Sequence, residues 1–114
     1  MRLSRGDIIL TNMPCNPINP TQFMGIHFYL LVSEVNQHYK LQAVPLTSKK
    51  LESIEKGQVT IQFQCLKSKS KVLGNELSLF HQSLFLNGKY CGKATETEME
   101  QVNNCIKEQL GLCA

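Results

Sequence analysis

The sequence predicts a mainly β, α+β fold: a small barrel of short strands followed by a single C-terminal helix. Three observations lead there. Residues 58–65 read Gln-Val-Thr-Ile-Gln-Phe-Gln-Cys, an alternation that puts Val59, Ile61, Phe63 and Cys65 on one face. Several other apolar runs are only three to eight residues long and are punctuated by turn residues, which suits a small barrel. From Thr95 onward the apolar period lengthens from that of a strand to that of a helix.

The elements follow in order. Ile8-Ile9-Leu10 is a short buried strand after a polar start. Residues 11–24 carry Pro14, Pro17 and Pro20 and read as a loop, since proline fixes φ and has no N–H for a ladder. Residues 26–32 form a central strand of β-branched, aromatic and aliphatic side chains. Polar residues 36–38 turn the chain into a partner strand at 39–45, so the two make a hairpin. Residues 47–50 end it, and Gly57 turns into the alternating strand at 58–65. Residues 68–71 read as a polar, basic turn, 77–80 and 83–86 as further strands, and Asn87-Gly88 as a turn. Residues 89–91 suit a short strand or a loop. Thr95 and Glu98 match a capping box, with a helix at about 96–110. Met99, Val102, Ile106 and Leu110 define its apolar face, beside Cys105, and Gly111 ends it.

A chain of 114 residues supports one core, so residues 1–114 are read as one domain. With 42% hydrophobic and 18% charged residues it is expected to fold throughout. A net charge of +3 permits an anionic partner without requiring one. The five cysteines are odd in number and widely spaced, with no C-x-x-C pair. They suit reduced thiols of a cytoplasmic protein better than a zinc knuckle or a disulfide framework. The N-terminus has no apolar segment of a signal peptide, and no apolar run approaches the ~20 residues that cross a bilayer.

Three segments, in order, carry a resemblance: Arg5-Gly6-Asp7-Ile8-Ile9-Leu10, Gly25-Ile26-His27-Phe28 with the apolar strand after it, and Val44-Pro45-Leu46-Thr47-Ser48. Together they resemble the PemK/MazF toxins of bacterial toxin–antitoxin systems. His81-Gln82 sits where that family often has Asp-Gln, and Gly92-Lys93 with the closing helix also fits. The resemblance implies an SH3-like barrel of the MazF/CcdB type, usually a homodimer. It implies an endoribonuclease that cuts single-stranded RNA and is inhibited by a cognate antitoxin. The implied chemistry is attack of the substrate's own 2′-hydroxyl on the adjacent phosphate, with no metal and no cofactor.

That chemistry needs a base, an acid and donors for the phosphoryl oxygens. The family's threonine carries over as Thr47, but its Arg-Pro pair is replaced by His27-Phe28. Arginine offers phosphate a permanent bidentate fork, whereas histidine titrates and can move a proton. His27 and Thr47 are therefore the catalytic candidates, expected near each other at one end of the hairpin. Gly25, Ser48, Lys49 and Gln82 are the substrate-binding candidates. Each has an ordinary structural reading too. His27 suits a surface or core histidine at a strand start, and Thr47 a local turn bond. Lys49 and Lys50 suit a solvated turn. Lys67, Lys69 and Lys71 suit either a wet hairpin loop or an electrostatic rim for RNA. His27, His38 and His81 show no metal-ligand spacing. The competing reading is a non-enzymatic or degenerate member of the same superfamily, such as a CcdB-like gyrase binder or a module that binds only nucleic acid or antitoxin.

Overall fold

The computed structural model describes residues 2–14 and 25–112. Its centre is an antiparallel trio: β1 (Asp7–Met13), β2 (Gly25–Leu31) and β3 (Lys40–Thr47). Ile8 pairs with Leu30, and Leu30 with Val44, so their side chains share a face. Ile8, Leu30, Val44 and Leu46 belong to one core cluster. Ile9, Tyr29, Leu31, Leu41 and Ala43 belong to another on the opposite face. Burial on both faces explains why these strands read as unbroken apolar runs rather than alternations.

Four shorter strands flank the trio: β4 (Gln58–Ile61), β5 (Ser70–Leu73), β6 (Ser78–His81) and β7 (Lys89–Lys93). The order is β4-β5-β3-β2-β1-β7. β5 pairs with the end of β3 at Leu46 and Thr47, and β6 with its beginning at residues 40–43. A 3₁₀ turn at Gly74–Glu76 links the two. The expected barrel is not closed: among the described residues no ladder joins β4 to β7. Among the described residues the fold is a seven-stranded antiparallel sheet with the C-terminal helix packed against it.

Among the described residues two α-helices accompany the strands: α1 (Ser83–Leu86) and α2 (Glu96–Leu110). Met99 and Val102 of α2 enter the first cluster, with Ile106 packed at its edge. Leu110, expected on that face, is exposed. The capping box is present: Thr95 Oγ1 accepts the Glu98 N–H at 3.1 Å, and Glu98 Oε1 accepts the Thr95 N–H at 2.9 Å. Gly111 ends the helix at φ 73°, in the left-handed region.

Other expectations are corrected. The strand predicted over 58–65 stops at Ile61, because the Gln64 N–H turns away to Glu98 Oε2 at 3.0 Å. Phe63 still fills the core, so the alternation outlasts the ladder. Residues 70–73 form β5, not a turn, and Ser70 and Lys71 are buried. Residues 83–86 make one helical turn instead of a strand. It seats Phe85 against Tyr29 and Phe80, with ring centroids 5.7 and 5.6 Å apart in edge-on geometry. β1 runs on to Met13, so residues 11–13 of the loop predicted at 11–24 are strand instead. Its part at 15–24 lies outside the described residues. Cys65, Cys91 and Cys105 are free thiols. Cys15 and Cys113 lie outside the described residues. Among the described residues no helix is long and apolar enough to cross a membrane.

Candidate nucleic-acid-binding cleft

A cleft of about 870 Å³ opens at the end of the sheet where β2 begins and β3 ends. Its position follows from register. Phe28 pairs with Leu46 at the end of the β2–β3 ladder, and His27 and Thr47 lie just beyond that pair. On either side, Thr11 pairs with His27, Thr47 with Lys71, and Lys71 with Thr60. Directly paired residues project to the same side, so these side chains make one polar row across five strands. His27, Thr47 and Lys71 of that row line the cleft. The two catalytic candidates read from the sequence, His27 and Thr47, thus line the same cleft at the same end of the hairpin.

Ser48 and Lys49 also line the cleft, as expected of substrate-binding residues. Gly25 opens β2 at φ +83°, a backbone that L side chains rarely adopt, and a Cβ there meets none of the described residues within 4 Å. The glycine thus starts the strand beside the cleft rather than in its lining. Gln82 is not in the cleft. Its N–H donates to the Tyr39 carbonyl at 2.8 Å, at the opposite end of β3, and its side chain borders a separate surface hollow with Arg2 and Glu34. His81, beside it, bonds Ser83 through Nδ1 at 2.9 Å.

The cleft's chemistry is one-sided. Lys49, Lys50, Lys67, Lys69 and Lys71 line it, with Ser48, Ser68 and Ser70 between them, and no Asp or Glu of the described residues does. Leu10, Ile26, Phe28, Leu46, Leu66 and Leu73 give it apolar walls. A positive rim over an apolar wall suits a single strand, whose phosphates meet cations while its bases meet flat apolar surface. Phe28 was not among the binding candidates read from the sequence; its only signal there is an aromatic ring next to His27.

Thr47 does make the local turn bond: its Oγ1 accepts the Lys49 N–H at 3.2 Å. That bond uses an acceptor site and leaves the hydroxyl proton available to a phosphoryl oxygen. Lys50 stands at φ 53°, in the left-handed region. Among the described residues no group of three or more His, Cys, Asp or Glu side chains could hold a metal ion.

The sequence profile of PemK-like, MazF-like toxins of type II toxin–antitoxin systems matches residues 4–110. The chain belongs to this toxin family. Solved structures with the same fold include MazF from Deinococcus radiodurans, at 18% identity and a TM-score of 0.78, covering 97% of this chain and 98% of that one. An endoribonuclease from a mycobacterial species, solved in complex with its cognate antitoxin, is 19% identical with a TM-score of 0.74 and 98% coverage of both chains. The Mycobacterium tuberculosis toxin MazF-mt6 is 11% identical with a TM-score of 0.67, covering 95% of this chain and 99% of that one. A search of curated proteins found no match. Within the toxin family the departure at His27-Phe28 now has a place: both residues line the cleft, one in the polar row and one in the apolar wall.

Proposed function

We propose that this toxin-family chain cleaves single-stranded RNA in the cleft at the β2–β3 end, and that a cognate antitoxin holds it in check. One observation carries the reading: His27 and Thr47 line the same cleft, just beyond the Phe28–Leu46 end of the β2–β3 ladder, and that cleft is rimmed by lysines and lined by no carboxylate of the described residues. Lysines draw the phosphate chain in, and Phe28 offers a base a flat face. The substrate's 2′-oxygen attacks the neighbouring phosphorus, the bond to the 5′-oxygen breaks, and the 2′ proton leaves as the 5′-oxygen gains one. His27 moves the proton, and the Thr47 hydroxyl holds a phosphoryl oxygen as charge builds on it. No step is assigned to a metal or a cofactor. The mycobacterial endoribonuclease, solved with its cognate antitoxin, and the MazE–MazF assembly from Deinococcus radiodurans support the same assignment here. A homodimer in the cytoplasm belongs to this reading, and light scattering checks the dimer.

The test is incubation of the purified, antitoxin-free protein with a long mixed RNA in EDTA, followed by end-group analysis. Fragments with a cyclic 2′,3′-phosphate and a free 5′-hydroxyl are expected. A folded protein that leaves the RNA intact, with or without divalent cations, makes this a binding or degenerate member of the family.

A further inference from the structure

Lys71 has a role that its position in the lysine rim conceals. It is 6% exposed, on β5 directly opposite Thr47. Lysine is almost never so buried unless its ammonium is satisfied. Here two of the three N–H donors go to backbone: Nζ donates to the Lys50 carbonyl at 2.9 Å and to the Ser53 carbonyl at 3.0 Å. The next residue in the polar row does the same work, as Thr60 Oγ1 donates to the Leu51 carbonyl at 3.2 Å. The carbonyls of residues 50, 51 and 53 are thus all tied down to β4 and β5.

The tied segment is the one that builds the cleft wall. Ser48, Lys49 and Lys50 line the cleft, and the Lys49 N–H fixes the Thr47 hydroxyl. Lys50 holds its left-handed backbone while its own carbonyl is captured by Lys71. We propose that Lys71 is a positioning residue, whose ammonium clamps the 50–53 backbone onto the sheet and so fixes the Thr47–Lys50 wall against the scissile phosphate. The proposal rests on the reading of the cleft as an RNA-cleaving site. A rim lysine meets phosphate; Lys71 has turned its donors inward to the chain.

The test compares the parent with Lys71→Met, which keeps the stem and removes the ammonium, and with Thr60→Val, which removes the lesser tie. Two readouts are used: the rate of tryptic cutting after Lys49 and Lys50 in folded protein, and the kcat and KM of RNA cleavage. Lys71→Met is expected to open residues 49–50 to trypsin and to lower kcat by about 10²-fold, the effect of an ångström-scale misplacement, with a much smaller change in KM. Thr60→Val should move both readouts in the same direction by less. Tryptic cutting at the parent's rate in both variants overturns the clamp, whatever the protein does to RNA. A lower melting temperature with parental kcat per folded molecule overturns the positioning role and leaves Lys71 merely structural. A parent that cuts no RNA, in which Lys71→Met still frees the segment, upholds the clamp and defeats the cleft's assignment instead. If Lys71→Met does not fold, Thr60→Val decides by the same two readouts.

Discussion

The lysine rim makes a quantitative prediction about salt. Five lysines line the cleft, but Lys71 is committed to the chain, which leaves Lys49, Lys50, Lys67 and Lys69 for phosphates. All four are exposed. A cation that neutralises one phosphate of a single strand contributes about −0.7 to the slope of log K against log salt, so four give about −2.8. Affinity should then fall about 50-fold between roughly 50 and 200 mM salt. The double variant Lys67→Ala/Lys69→Ala removes two contacts and should halve the slope to about −1.4, so that the same salt step costs only about 7-fold. The probe is a fluorescent single strand carrying 2′-O-methyl groups throughout, which keeps the phosphates and blocks attack by the 2′-oxygen. Fluorescence anisotropy across the salt series gives both slopes. Parallel slopes for parent and double variant would refute the reasoning and return Lys67 and Lys69 to a solvated loop. A Lys93→Ala control should leave the slope unchanged, because Lys93 Nζ is engaged by Ser4 Oγ at 2.9 Å and lies outside the cleft.

Other expectations follow from single residues. His27→Ala should slow RNA cleavage by about 10²–10⁴-fold, measured as single-turnover rates on a long mixed RNA. Parental rates in the variant would remove His27 from the mechanism. Thr95→Ala deletes the capping-box hydroxyl of α2 and should cost about 1 kcal/mol by urea denaturation, while cleavage per folded molecule stays at the parent's level. Tyr29 connects pH to stability: burial first, and then the negative charge of Glu76, push its phenol up from 10.0 to about 12. The unfolded chain loses this proton first, so the contribution is intact below pH 10 and is lost as pH rises to about 12. Tyr29→Phe should flatten that alkaline fall, and an unchanged slope would show that another group sets it.

Where period and backbone chemistry decide the outcome, the sequence was sufficient. The capping box at Thr95 and Glu98 and the helix of residues 96–110 are local, since the groups that bond lie within one turn of each other. The hairpin of β2 and β3 is nearly as local, and its register brings the start of β2, with His27, to the end of β3, with Thr47. Period alone failed at residues 83–86, whose apolar side chains suit a strand and a buried helical turn alike. The fit of Phe85 against Tyr29 and Phe80 decided for the turn. Tertiary structure also decided the fate of residues 68–71. Ser-Lys-Ser-Lys looks like a wet turn because lysine is normally solvated, yet Lys71 is buried. What makes that burial possible is a pair of carbonyls at Lys50 and Ser53, roughly twenty residues earlier in the chain. Likewise Gln82 shares a sequence neighbourhood with the family's motif, but β6 runs along the start of β3 and takes it to the far end from Thr47. Composition and local spacing thus determined the central strands, the helix with its cap, and the placing of His27 and Thr47 at one end of the hairpin. Which lysine is a rim and which is a clamp, and which end of the sheet each polar residue reaches, was settled only by long-range pairing, because a side chain's partners there come from segments distant in sequence.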